Sequence, residues 1–246
     1  MANDAANNFY DNLKTSTVFT PYGVCRFIFD KIESSIFYSK EIAKIRSSKI
    51  LDIACGTGNL SKYFFLDGFK TTGIDISNFQ ERKYIDDFIK TDFMTVKSDD
   101  IKPDLILCNP PWNIDGNSTS NYIDVIKEYL ETKNRPLLPD AFIRKIFEVY
   151  GNKMPVVFLV PFGFRLNLDK TSNRYSYLRD CGARITSICS LPKNIFPNVK
   201  WQCEILFFNI DGLEPHYFLE KKYLAGNDEL FLFKEDGFIE TKFQIG

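Results

Sequence analysis

At 246 residues, with 31 Lys and Arg against 32 Asp and Glu, the chain carries a formal net charge of −1. With 44% hydrophobic and 26% charged residues it reads as a soluble globular protein, most simply one α/β domain over 1–246. No apolar run approaches the roughly 20 residues of a membrane span, and Met1-Ala2-Asn3-Asp4 lacks a signal-peptide pattern, so a cytoplasmic setting without membrane partners is expected.

In chain order, Phe19-Thr20-Pro21-Tyr22 reads as a helix start, with Thr20 as N-cap, Pro21 as first helical residue and Val24, Phe27, Ile28 and Ile32 on one face. The helix is expected over 21–33. A strand over 49–53, Lys49 to Ile53, leads into Cys55-Gly56-Thr57-Gly58-Asn59-Leu60 and a helix over 58–66. Strand, Gly-rich turn and helix form the unit that brings a backbone close to a nucleotide-like ligand. Ser61 stands where a dinucleotide fingerprint has its third glycine, and Asp52 precedes the loop. A pyrophosphate would be repelled there, whereas a ligand bearing ammonium and sulfonium charge would not. A second strand, 70–74, ends in Asp75, placed to accept ribose hydroxyls. A third strand, 87–91, leads to Asp92-Phe93, an acid beside an aromatic wall. Three acids at three successive strand ends point to one ligand.

The fourth strand, over 104–108, ends in Asn109-Pro110-Pro111-Trp112. Two prolines fix φ and remove two backbone donors, leaving a rigid corner of carbonyls, an amide and a large ring. That set suits a planar group bearing an NH2, with Asn109 and the Pro110 carbonyl accepting its protons and Trp112 stacking on its face. Asn113 to Asn121 has no periodicity and is expected to be a loop that orders when nucleic acid binds. Helices over 122–132, 139–150 and 171–180 and strands over 155–160, 185–190 and 202–209 complete a doubly wound, mostly parallel sheet of seven strands. After Asp211-Gly212, short strands at His216–Glu220, Glu229–Lys234 and Gly237–Gln244 are expected as a small C-terminal addition.

The six cysteines (25, 55, 108, 181, 189 and 203) show no CxxC or Cys/His ligand spacing, so reduced thiols and no metal are expected, with Cys55 and Cys108 as small buried fillers. Net charge resolves along the chain: residues 141–200 hold ten Lys and Arg against three acids, a net of +7. Such a block near the target pocket is read as a face for phosphates.

These motifs resemble the class I S-adenosylmethionine-dependent methyltransferases, and among them the DNA adenine-N6 enzymes of gamma-type motif order found in restriction-modification. The resemblance covers roughly 16–210, including Phe158-Leu159-Val160-Pro161, Asn194-Ile195-Phe196-Pro197-Asn198-Val199 and Gln202 to Phe208. It implies a Rossmann-like methyltransferase fold with S-adenosylmethionine as cofactor. It also implies that Thr20, Pro21, Asp52, Ala54, Gly56, Gly58, Asp75, Ile76, Asp92, Phe93 and Asn109 hold that cofactor. Asn109, Pro110, Pro111 and Trp112 would act on the target amine, and Phe196 and Lys200 would contact the substrate. The partner implied is DNA, with adenine flipped into the pocket.

One departure matters most. Gamma-type enzymes carry a substantial target-recognition domain, whereas only an acidic tail of about 35 residues follows the last motif here. Recognition is then relaxed, supplied by 113–140, or contributed by a specificity subunit. The motif alone does not separate DNA adenine from RNA adenine or a glutamine side-chain amide, and a non-catalytic cofactor-binding subunit is the reading of a different class.

Overall fold

The computed structural model describes residues 18–35, 48–78, 82–97, 101–112, 120–131, 137–166, 172–193, 195–196, 202–224, 229–232 and 239–242. Eight strands make one sheet: β1 Lys49–Ile53, β2 Lys70–Asp75, β3 Asp87–Lys90, β4 Leu105–Cys108, β5 Val156–Pro161, β6 Ile185–Ser190, β7 Cys203–Phe208 and β8 His216–Phe218. Their order is β3-β2-β1-β4-β5-β7-β6-β8. The first five pair in parallel; β7 runs antiparallel to both β5 and β6. A separate antiparallel pair joins β9 Glu229–Leu232 to β10 Ile239–Lys242.

The expected sheet of seven strands is therefore one strand short. His216–Phe218, expected within the C-terminal addition, pairs in parallel with β6 and extends the sheet. A short helix, α7 Lys221–Leu224, follows and packs against α1 Tyr22–Glu33. The Tyr223 hydroxyl donates to Asp30 at 2.8 Å, and its ring meets Phe27 edge-on at 5.3 Å. The approach is close enough to require glycine at position 23, where a Cβ would lie 1.6 Å from the Tyr223 carbonyl oxygen.

Strand alternation sorts the core into two clusters, one on each face of the sheet. Leu105 and Leu107 of β4 pack with Val157, Leu159, Ile205, Phe207 and the Val24, Phe27, Ile28 and Ile32 stripe of α1. Ile106 and Cys108 pack with Val156, Phe158, Val160, Leu206 and Phe208 against Phe142, Ile143, Ile146 and Phe147 of α4 Leu138–Tyr150. Leucine, isoleucine and phenylalanine buried on both faces are what a central, doubly covered parallel strand requires. The remaining helices are α2 Lys62–Leu66, α3 Ser120–Tyr129, α5 Gly163–Leu166 and α6 Asn173–Cys181.

Two shifted helix starts bear on the cleft. Helix α2 begins at Lys62 rather than 58, because Ala54, Gly56 and Gly58 all take positive φ (57°, 54° and 83°) and hold 54–61 in successive turns. Helix α1 begins at Tyr22, with Pro21 at the cap position and no side-chain cap. The Pro21 carbonyl accepts the first helical bond, from Cys25 N–H at 3.1 Å. Thr20 lies one residue outside the cap, where its polar atoms serve other partners.

Candidate active site

The carboxyl ends of β1, β2 and β4 open onto one cleft, the position that the crossover order of a doubly wound sheet creates. Lining it are Val18, Phe19, Thr20, Asp52, Ala54, Cys55, Gly56, Asn59, Leu60, Asp75, Ile76, Asp92, Phe93, Asn109, Pro110, Pro111 and Trp112, with Phe142 on the floor. Of the residues expected at the cofactor, Pro21 and Gly58 stand behind this lining rather than in it. Gly58 backs onto Ile85, whose side chain would sit 2.9 Å from an added Cβ.

The glycine loop is strained where it meets the cleft. Ala54 holds the left-handed conformation at a cost of about 1–2 kcal/mol, and such strain collects at functional positions. A Cβ on Gly56 would approach the Phe19 ring to 3.1 Å, so this glycine leaves room for the apolar residue beside it. The loop is tied down by Asp75, whose two oxygens accept one backbone N–H each, from Gly56 at 2.9 Å and Ser77 at 2.7 Å. A carboxylate has about four acceptor sites, so Asp75 keeps capacity for hydroxyl donors in the cleft. Asp92 accepts from Met94 N–H at 2.9 Å and caps the turn Phe93–Thr95. The Phe93 ring lies 5.7 Å from Phe142, giving this end of the cleft an aromatic floor. Ile76, 67% exposed, stands at the rim beside Asp75.

Asp52 is the electrostatic centre. It is 1% exposed, accepts from the Ser61 hydroxyl at 2.7 Å, and forms no ion pair among the described residues. Burial first, and then the negative charge of Asp75, push its carboxyl up to about 7 against the partial relief of Ser61. Ser61, fully buried, is thus the residue that supports the acid rather than a poor substitute for a third glycine.

At the other end, the orientation of Asn109 follows from its partners. Its amide nitrogen donates to the Val18 carbonyl at 3.3 Å and to the Thr20 hydroxyl at 3.1 Å. A carbonyl has no proton to give, so only the NH2 side of the amide can face Val18. Thr20 in turn accepts at its carbonyl from Asn59 Nδ2 at 3.2 Å. Asn59 was not marked by sequence reasoning, although it follows Gly58 directly. Val18 acts through its carbonyl, for which no sequence signal exists.

Trp112 and Phe196 do come together, but as an edge-to-face pair with centroids 5.7 Å apart and planes at 83°. Phe196 is absent from the cleft lining, Trp112 is 6% exposed, and its buried indole N–H has no partner among the described residues. Lys200 and residues 113–119 lie outside the described residues.

The basic block resolves differently from its linear count. Arg144 and Arg174 converge on the buried Asp140 at 3.2 and 3.6 Å, and Lys145 pairs with Glu148 at 2.7 Å. Arg165 pairs with Glu204, itself fully buried, while Arg179 and Arg184 pair with Asp180 and Asp211. Lys153 and Lys193 are exposed, and Lys170 and Lys200 lie outside the described residues. The cysteines Cys25, Cys55 and Cys108 are buried and burial pushes their thiols well up, so they stay protonated and unreactive at neutral pH. No group of His, Cys, Asp and Glu able to hold a metal occurs among the described residues, and no helix among them is long and apolar enough to cross a membrane.

No protein-family model matches the chain, and no curated protein matches it by sequence. Solved structures match it by fold. A protein from Listeria monocytogenes, described as a class I S-adenosylmethionine-dependent methyltransferase, superposes with a TM-score of 0.58 at 16% identity, covering 86% of this chain and 68% of its own. A protein from Vibrio vulnificus YJ016 described as the modification subunit of a type I restriction enzyme gives 0.54 at 15%, covering 92% of this chain and 49% of its own. A type I restriction-modification methyltransferase subunit from Streptococcus thermophilus gives 0.54 at 15%, covering 91% and 50%. The chain spans about half the length of these two subunits. The likeness is one of architecture: the chain has the Rossmann-like fold of class I methyltransferases.

Proposed function

We propose that the chain transfers a methyl group from S-adenosylmethionine to the exocyclic N6 of adenine in DNA. The observation that carries this reading is the Asn109 amide. With both N–H groups turned toward Val18 and Thr20, its Oδ1 is the atom left to receive an amine proton at the rim of the cleft.

The cleft fits the cofactor. Asp52 is a buried acid without a counter-ion among the described residues, suited to an ammonium group. Asp75 has spare acceptor sites for ribose hydroxyls, and Phe93 with Ile76 offers apolar surface for a base beside Asp92. Thr20, Pro21, Ala54, Gly56 and Gly58 shape the backbone around it. When bound, S-adenosylmethionine supplies an electrophilic methyl group on a sulfonium.

The chain's own residues do the rest. An exocyclic amine on a purine is a poor nucleophile because its lone pair is delocalised. Asn109 Oδ1 and the Pro110 carbonyl, by accepting its two protons, favour the tetrahedral nitrogen whose lone pair points along the transfer axis. Pro111 stiffens the corner so that both acceptors stay aligned. No strong base is needed, and His216, the one histidine, sits on β8 at the far edge of the sheet, bonded to Ser190 at 2.9 Å.

Adenine in a duplex reaches this corner only by flipping out of the stack. Trp112 lines the cleft beside its edge-to-face contact with Phe196 and offers the ring on which the flipped base stacks. Residues 1–246 act as one methyltransferase domain. The chain alone methylates adenine without sequence selection, and a specificity-subunit partner confines the transfer to particular sites, in keeping with the description of two structural neighbours as subunits. The test is methyl transfer to unmethylated DNA with identification of the modified nucleoside; a product on a glutamine amide or on RNA alone would overturn the substrate assignment.

A further inference from the structure

Three chain segments meet at Thr20, whose carbonyl also accepts from the Cys25 thiol of α1 at 3.7 Å. From the glycine loop, Thr57 Oγ1 donates to Asn59 Oδ1 at 3.1 Å, and Asn59 Nδ2 donates to the Thr20 carbonyl at 3.2 Å. From the exit of β4, Asn109 Nδ2 donates to the Thr20 hydroxyl at 3.1 Å. Thr20 is buried at 4% exposure, and the two asparagines are 39 and 89 residues away in sequence. Nothing in the local chain explains these bonds, since Thr20 is not the cap of α1.

Both arms donate into Thr20, Asn59 to its carbonyl and Asn109 to its hydroxyl. Val18 forces the Asn109 NH2 inward, so the second amide proton fixes the Thr20 hydroxyl oxygen as an acceptor. That hydroxyl then has its own proton to place, and Thr20 lines the cleft. An acceptor bound there, such as the carboxylate of an amino-acid moiety, takes the proton and polarises the hydroxyl toward Asn109. Hydrogen bonds in series strengthen one another in this way.

We propose that Thr20 is the positioning residue for Asn109, with Asn59 holding the Thr20 backbone in place, and that the Thr20 hydroxyl couples filling of the cofactor half of the cleft to recognition of the target amine. The inference rests on Asn109 receiving that amine. It predicts that cofactor and target bind with positive coupling, and that the order favoured is cofactor first.

The test compares the wild-type protein with Asn59→Ala, Thr20→Val and Thr20→Ser by proton exchange at the 15N-labelled Asn109 side-chain amide, identified by its loss in Asn109→Asp. Exchange should accelerate about tenfold in Thr20→Val, the loss of about one hydrogen bond, rise by a smaller factor in Asn59→Ala, which loosens the Thr20 backbone, and stay near wild type in Thr20→Ser. Saturating S-adenosylmethionine should slow it in the wild type and not in Thr20→Val. In methyl transfer to unmethylated duplex DNA, Asn59→Ala should lower kcat about tenfold while cofactor KM changes less than about threefold. An Asn109 amide indifferent to both variants overturns the relay. So does a loss of cofactor affinity with kcat intact, which makes Asn59 a simple cofactor contact. A wild-type protein that methylates no adenine overturns the proposed function instead, and the amide exchange still decides the relay.

Discussion

Replacing Asp52 with asparagine should make the protein more stable toward neutral pH and worse at holding its cofactor. The carboxyl is raised from 3.8 to about 7, chiefly by burial. Three pKa units correspond to about 4 kcal/mol of preference for the protonated form in the folded state. Because the folded value is the higher one, the folded state binds the proton more tightly than the unfolded chain. Stability from this group is greatest below pH 4 and is lost as pH rises toward 7. Between pH 5 and 7.5 the unfolded carboxyl is already ionised while the folded one becomes so, and the wild type should lose about 2.5 kcal/mol from this site. The Asp52→Asn variant has no proton to lose at this position and keeps that stability. Its buried NH2 costs a constant amount that shifts the whole curve without tilting it. For a chain of this size the two thermal midpoints should therefore diverge by about 5–10 °C across the window. Calorimetric melts at pH 5, 6.25 and 7.5 measure this, and the difference between the two proteins cancels every other titrating group. Titration calorimetry with S-adenosylmethionine supplies the second half: affinity should rise with pH through 7 in the wild type and stay flat in the variant. Parallel melting curves in the two proteins would refute the buried, unpaired charge on which the cofactor assignment leans.

Further predictions concern separate links. Asp75→Ala should weaken S-adenosylmethionine binding about 100-fold by calorimetry, since it removes a charged acceptor of hydroxyls and the anchor of Gly56 and Ser77 N–H; unchanged affinity would take Asp75 out of the site. Asn109→Ala should leave cofactor affinity within about threefold while turnover falls at least about 100-fold, because the lost contact serves the transition state; equal loss of both would indicate a folding defect. Gly23→Ala should lower stability by about 3 kcal/mol despite alanine's better helix propensity, because its Cβ meets the Tyr223 carbonyl backbone of α7. Urea unfolding measures this, and a neutral or stabilising effect would mean that α7 is not docked on α1.

The strands were legible because their burial is written in residue type. Leu105-Ile106-Leu107-Cys108 and Val156 to Val160 are apolar on both faces, and the acids that follow three strands reappear around one cleft. What escaped the sequence was set by distant contacts. The start of α2 moved because positive φ at Ala54, Gly56 and Gly58 belongs to the loop's approach to Phe19 and Ile85, not to local propensity. Thr20 has the composition of a cap, yet Asn59 and Asn109 claim its polar atoms. The basic block is redistributed in the same manner. Arg144 and Arg174 are drawn onto the buried Asp140 and Lys145 onto Glu148 of its own helix, whereas Lys153 and Lys193 stay exposed. A linear tally of charge is blind to that pairing.

The functional assignment stands or falls on whether Asn109-Pro110-Pro111-Trp112 presents adenine N6 to an S-adenosylmethionine methyl group. The decisive experiment is transfer of labelled methyl to unmethylated duplex DNA, single-stranded DNA and RNA, followed by mass spectrometry of the nucleosides. N6-methyladenine should form in DNA and should vanish with Asn109→Ala. Cofactor binding with no N6-methyladenine in any nucleic acid would contradict the assignment.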